Sequence, residues 1–258
     1  MRQLLPLFWR VVAVLFAAYL LAPLALVVLF AFSDRPIANF PVTGLTLHWW
    51  AEMVAHPAFL DALENSLIIG GSVGILSATV GTMAALGFAR LPPREAQAAI
   101  AVLCLPLMLP PLFLAIALLV FFVFLGVPLG LGTVILSHLL FALPFVVIVV
   151  YARMQTFDQR VVESARDLGA SPARAFVTVT LPIIQPVVIG AALMATALSI
   201  DDFILSSFTI GGGNTLPILV WSFLRTNVSP MINAVGTMLI LMSVGSTLVA
   251  LRLTRYRG

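Results

Sequence analysis

Six stretches of this chain run for about 20 residues or more with almost no charge: Val11–Phe32, Leu67–Phe88, Ile100–Leu125, Leu131–Tyr151, Ile183–Phe208 and Ile232–Leu251. About 20 apolar residues are what an α-helix needs to cross the ~30 Å hydrocarbon layer of a bilayer. Inside that layer water cannot satisfy the backbone, so segments of this kind must be helical. The composition agrees: 62% of residues are hydrophobic and 9% charged, whereas soluble domains hold about 45–50% apolar residues. The expected fold class is therefore an all-α membrane protein with six transmembrane helices. Arg2 and Arg10 ahead of the first apolar run imitate a signal peptide. The run is too long for one and no small-residue cleavage site follows it, so it reads as a retained first span.

Arginine placement orients the spans. All 13 basic residues are Arg. Eleven of them (Arg2, Arg10, Arg90, Arg94, Arg153, Arg160, Arg166, Arg174, Arg252, Arg255 and Arg257) fall on one side of the expected membrane, and only Arg35 and Arg225 on the other. The positive-inside rule then puts both termini in the cytoplasm. The outer segments carry Asp34, Glu52, Asp61 and Glu64, with Trp49 and Trp50 as interface anchors, and the 33–63 loop has room for a short surface helix. The net charge of +3 comes from scattered arginines rather than a patch, which speaks against nucleic acid as a partner. Cys104 is the sole cysteine, so no intrachain disulfide is possible. No internal repeat or soluble domain interrupts the pattern, and residues 1–258 read as a single transmembrane domain.

Against this background the segment 161–182, VVESARDLGASPARAFVTVTLP, stands out, with Glu163, Arg166, Asp167 and Arg174 within twelve residues. Its helix signals are dense. Thr156 with Gln159 fits a capping box. Gly169 stands where a helix C′ residue belongs. Ser171 followed by Pro172 is an N-cap with proline at the first helical position. Two short cytoplasmic helices are expected, at about 157–168 and 172–180, meeting at a glycine elbow. Val161, Ala165 and Leu168 share an apolar face of the first. Three uses fit such a helix: lying in the lipid interface, packing on its own bundle, or seating in a groove on a partner protein.

Glu163-Ser164-Ala165, Gly169 six residues after the glutamate, and Leu181-Pro182 together resemble the EAA loop of bacterial ABC-importer permeases of type I, with Ser164 where that pattern has its first alanine. Asn65-Ser66, Arg90, Pro106 and Pro110 are similar to the same family. The stretch 199–234, SIDDFILSSFTIGGGNTLPILVWSFLRTNVSPMINA, resembles the second permease subunit of spermidine/putrescine importers, and permeases for ferric iron or phosphonates share parts of it. The resemblance implies a type-I (MetI-like) permease fold in a bacterial inner membrane, and coupling helices that dock on an ATPase. Glu163, Ser164, Ala165, Arg166, Gly169 and Ala170 are the docking residues it implies. It also implies as partners two ATP-binding subunits, a homologous second permease and an external solute-binding protein, besides membrane lipid. Without lysine the chain cannot hold a G-x-x-x-x-G-K-[ST] phosphate loop. It is thus expected to be no enzyme and to bind no cofactor itself, with ATP and Mg on the partner ATPase.

Asp201 and Asp202 are the only acidic residues inside an expected span, where a carboxylate costs roughly 2.5–3.5 kcal/mol at mid-depth. Asp201 lies 19 residues beyond Pro182, about 28 Å of helix, hence near the outer end. Thr196, Ser199, Asp202, Ser206 and Thr209 follow helical spacing and form one polar stripe, either lining a pathway or supporting helix packing. Asp202 belongs to it, whereas Asp201 is turned by about 100° toward a neighbouring helix or subunit. Asp202, Asp201, Ser199, Ser206, Thr209 and Trp221 are the candidate substrate-path residues. Carboxylates and aromatic faces suit a protonated amine. A proton- or sodium-coupled secondary transporter using the Asp pair is the rival reading. His138, alone in the fourth span, reads as hydrogen-bonded packing, and no metal-ligand spacing is found. Pro106, Pro110 and Pro111 should bend the third span, and Gly70, Gly71, Gly74 and Gly81 favour close helix contact.

Overall fold

The computed structural model describes residues 4–37, 39–226 and 230–255. Arg2 and Arg257 of the topology argument lie outside the described residues. Among those described, the chain is helical, with a single β-bridge between Ser33 and Leu45. The helices are α1 (Leu4–Phe30), α2 (His48–Ala55), α3 (Pro57–Phe88), α4 (Pro93–Leu103), α5 (Pro111–Phe124), α6 (Leu131–Gln155), α7 (Gln159–Asp167), α8 (Pro172–Ala175), α9 (Leu181–Asp201), α10 (Ile204–Thr209), α11 (Leu216–Thr226) and α12 (Met231–Arg255). Among the described residues, five helical runs are long and apolar enough to cross a membrane: Phe8–Phe30, Pro57–Phe88, Leu131–Gln155, Pro172–Asp201 and Met231–Val249.

The expected third span is not one helix. α4 ends at Leu103, a 3₁₀ turn occupies Leu105–Met108, and α5 begins at Pro111. The adjacent prolines are the cause. Pro110 forces Leu109 into extended backbone (φ −84°, ψ 139°), and Pro111 restarts the helix at its first position. The prolines do not bend a helix here; they divide it. The 33–63 loop carries a short helix as the sequence allowed, α2 at His48–Ala55, but the loop ends sooner than expected because α3 begins at Pro57, ten residues before Leu67.

The chain divides into two compact units. The first comprises Met1–Leu60 and Leu219–Leu241. There Trp49 is buried and donates its indole N–H to the Ser33 carbonyl at 2.7 Å, so it is fastened to the chain rather than projecting as an anchor. His56 and Phe223 meet edge to face at 5.0 Å.

The second unit, Asp61–Ile218 and Met242–Gly258, carries the candidate site. Its core is made by α3, α6 and α9, with Ile69, Val73, Val134, Val146, Val147, Val150, Ala191 and Ala195 all buried. Three of the five α3 glycines serve that packing. Gly70 faces Ile200 and the Thr196 carbonyl, Gly74 faces Thr196 and the Ala192 carbonyl, and Gly81 faces Val146, whereas Gly71 has open space beside it. A Cβ at Gly74 would overlap the Thr196 hydroxyl and stand 3.1 Å from the Ala192 carbonyl oxygen. Gly74→Val should therefore cost about 1–3 kcal/mol by overpacking. Gly71→Val should stay near wild type. Thermal melting of the detergent-solubilised protein checks the contrast, and equal melting points for the two variants would contradict it.

Candidate functional site

Two places bring candidate residues together, the segment around α7 and the helix break at Asp202.

α7 starts two residues later than the capping-box reading implied. Asp158 is its N-cap, and its carboxylate accepts the Arg160 backbone N–H at 3.0 Å. Thr156 instead closes α6, its hydroxyl donating to the Arg153 carbonyl at 3.0 Å. The other end follows the sequence. Gly169 has φ +89°, a left-handed conformation that a Cβ disfavours. Its N–H donates to the Arg166 carbonyl at 2.9 Å, and the Ala170 N–H donates to the Ala165 carbonyl at 3.1 Å. These two bonds are the Schellman closure of a helix C-terminus. Ser171 then caps the next helix by accepting the Arg174 N–H at 3.3 Å. That helix is not a separate short element: Pro172 to Asp201 is one continuous run, with a π turn at Phe176–Thr180 joining α8 to α9. The elbow at Gly169 thus links α7 directly to a 30-residue membrane helix.

Of the apolar face formed by Val161, Ala165 and Leu168, only Ala165 is half-buried, and the inward contact of α7 is made by Val162. Val162 is half-buried and, with the exposed Gln159 and Arg166, lines a crevice with Leu86, Arg90, Met154 and Phe176. Val162 packs on a cluster of Met154, Phe157 and Ile184, from the ends of α6 and α9. Leu168 is 90% exposed and Val161 is 45% exposed. Of the implied docking residues, Glu163, Ser164, Arg166 and Gly169 are exposed, and Ala165 and Ala170 half-buried. Glu163, Arg166, Asp167 and Ala170 share a second, polar hollow with Pro172.

At the other site α9 stops at Asp201, and Asp202 is extended (φ −74°, ψ 116°). The break separates the expected polar stripe onto two helices. The Asp202 carboxylate accepts the backbone N–H of Leu205 at 2.8 Å and of Ser206 at 3.4 Å, so it caps α10. The same side chain lies on a cavity of about 240 Å³ otherwise lined by apolar residues and prolines, among them Pro106, Leu109, Leu114 and Phe141. The proline break between α4 and α5 therefore faces the Asp202 break across one cavity. Asp201 is exposed and accepts the Ser243 hydroxyl of α12 at 3.2 Å.

Ser199, Ser206 and Thr209 are buried, and their hydroxyls are used within the chain. Thr209 Oγ1 donates to the Leu205 carbonyl at 2.7 Å. Ser199 and Ser206 both meet His138, at 2.7 Å on Nδ1 and 3.1 Å on Nε2. Trp221 is 47% exposed on α11, which enters the first unit at Leu219. The structure thus gathers Ser199, Asp202 and Ser206 around a histidine that spacing alone could not join to them, since Ser199 is 61 residues away. Asn65 and Ser66 hold the turn beyond Gly211: Asn65 Nδ2 donates to the Asn214 carbonyl at 2.8 Å, and Ser66 Oγ accepts the Leu216 N–H at 2.9 Å.

Residues 77–257 match the family described as binding-protein-dependent transport system inner membrane component. The chain belongs to that family. It is 33% identical to the spermidine/putrescine transport system permease protein PotC of Shigella flexneri over 93% of each chain. It is 34% identical to the putrescine transport system permease protein PotI of Escherichia coli K12, over 92% of this chain and 87% of that one. Among solved structures, a bacterial ABC transporter that imports alginate superposes with a TM-score of 0.69 at 14% identity, covering 98% of this chain and 96% of that one. The MetNI methionine ABC transporter, in an inward-facing form, gives 0.62 at 18% identity, covering 78% and 96%. The all-α MetI-like fold and the role of permease subunit in an ABC importer expected from the EAA-like loop both hold. The chain is a multi-pass membrane subunit and not an enzyme, because ATP hydrolysis in such importers resides on a separate subunit.

Proposed function

We propose that this chain is one of two permease subunits in a polyamine importer of a bacterial cytoplasmic membrane. It docks through α7 on one of two ATPase subunits, which bind ATP and Mg, and receives cargo from an external solute-binding protein. The arginine bias supports cytoplasmic termini and six crossings, the third made by the α4–α5 pair.

The observation that carries docking is Leu168. A leucine 90% exposed at the closed end of a short polar helix has no packing role in its own chain. One face of the same helix is fastened through Val162 to the ends of α6 and α9. A partner gripping the outer face moves those membrane helices with it, which is how closure of an ATPase pair reaches the cargo path. Burying a leucine is worth about 1.5–3 kcal/mol, and a glutamate in the same socket reverses the gain. Leu168→Glu should therefore reduce recovery of the ATPase with the purified permease by about tenfold or more, with the membrane level of the permease unchanged. Full recovery with Leu168→Glu would remove the docking assignment.

The cargo follows from the Asp202 cavity and from the relatives. A carboxylate on an otherwise apolar wall suits a cation joined to methylene groups, the chemistry of putrescine and spermidine. Both relatives above are named for transport of those amines.

A further inference from the structure

We propose that His138 is the positioning residue for Asp202, holding one carboxylate oxygen to the protein so that the other faces the cargo cavity. This rests on reading Asp202 as the group that meets the cation.

His138 is fully buried in α6, and both of its ring nitrogens are used. Nδ1 is 2.7 Å from Ser199 Oγ, on the last turns of α9, and Nε2 is 3.1 Å from Ser206 Oγ, on α10. Nε2 is also 3.6 Å from Asp202 Oδ1. One side chain of α6 therefore bridges the two helices on either side of the break.

A neutral imidazole has one N–H and one acceptor nitrogen. An ionised carboxylate accepts only, so the edge of the ring turned toward Asp202 must carry the proton. That assigns N–H to Nε2, shared between Ser206 Oγ and the field of Asp202. Nδ1 is then the acceptor, and Ser199 must donate its hydroxyl to it. Ser199 thereby fixes the tautomer, and the serines acquire a purpose apart from lining a path.

The consequence lies at the carboxylate. Oδ1 takes the Leu205 and Ser206 N–H groups and faces the ring. With Oδ1 committed on that side, Oδ2 is the oxygen turned to the cavity and to an incoming ammonium. Without the ring, the carboxylate can rotate and the break can unwind, so charge remains but aim is lost.

The test is a double-substitution cycle in the complete importer reconstituted in proteoliposomes, with uptake of radiolabelled putrescine as readout. His138→Asn keeps an amide near Ser199 but cannot reach Asp202, whereas His138→Gln places an N–H near the Nε2 position. His138→Asn should lower the maximal rate about tenfold with half-saturation unchanged, while His138→Gln stays within about threefold of wild type. In an Asp202→Asn background, His138→Asn should add less than about a twofold further loss, because the group it aims is gone.

A wild-type rate for His138→Asn, or the same fold-loss in both backgrounds, would overturn the assignment and leave the histidine as packing. If Asp202→Asn alone transports normally, the cargo-site reading fails on that measurement independently, and this inference with it. Should His138→Asn not assemble, Ser199→Ala enters the same cycle with the imidazole kept in place. It should cost about threefold with Asp202 present and nothing without it, and equal losses in both backgrounds would overturn the proposal.

Discussion

Gly169→Pro should abolish ATP-driven uptake while leaving the chain inserted in the membrane. Three local requirements meet at this residue. Its φ of +89° is far from the −65° that proline imposes. Its N–H makes the 2.9 Å bond to the Arg166 carbonyl that closes α7, and proline has no N–H. The residue before it, Leu168, sits at φ −79°, ψ 10°, and a following proline disfavours that conformation. Together these cost about 3 kcal/mol or more, which lowers the population of the closed elbow by about two orders of magnitude. The damage stays local, because the elbow is exposed and nothing lies within 4 Å of where a Cβ would be. Gly169→Ala, which meets only the left-handed penalty of about 1–2 kcal/mol, should retain part of the activity. Uptake into vesicles, set against permease abundance in the same membranes, measures both variants. Wild-type uptake by Gly169→Pro would show that the elbow transmits nothing.

The elbow was legible in the sequence because its determinants are local. A glycine at C′ and a Ser-Pro start are rules about neighbours, and both hold at atomic detail. The N-terminus of α7 shows the limit of such rules. Thr156 and Gln159 satisfied the capping pattern, but Asp158 stood between them, and aspartate caps at least as well as threonine. Residue spacing found that α7 is two-faced but not that Val162, beside the apolar face of Val161, Ala165 and Leu168, is the residue that meets Met154 and Ile184, since those partners come from other helices. Hydropathy located apolar helices at each expected span, but continuity failed at Pro110–Pro111 in the third and at Asp202 in the fifth. The polar stripe failed for a related reason. Periodicity assumes one helix, and the Asp202 carboxylate ends that assumption by capping a new one. His138 reads as hydrogen-bonded packing and is buried and hydrogen-bonded, but its partners could not be named, because each is more than sixty residues away in the chain.

Replacing each membrane carboxylate by its amide should separate the two aspartates. Asparagine is nearly isosteric with aspartate and caps helices about as well, so Asp202→Asn can still accept the Leu205 N–H at the start of α10. The break survives and the charge does not. A hydrogen bond to a charged partner contributes about 1.5–3 kcal/mol, so the maximal rate of putrescine or spermidine uptake should fall by about tenfold or more. Asp201→Asn should remain within about twofold of wild type, because that side chain is exposed and its bond from Ser243 needs an acceptor rather than a charge. Uptake measured across a range of polyamine concentrations distinguishes a lost path contact from weakened delivery by the binding protein: the first lowers the plateau, the second shifts half-saturation. Indistinguishable, undiminished plateaus for both amides would leave the cavity beside Asp202 without a part in transport. A lower plateau for Asp201→Asn alone would instead move the cation to the α9–α12 contact. The expected ordering follows from geometry rather than from charge, since both residues carry the same group one position apart, and the helical turn between them and the break in α9 give them different surroundings.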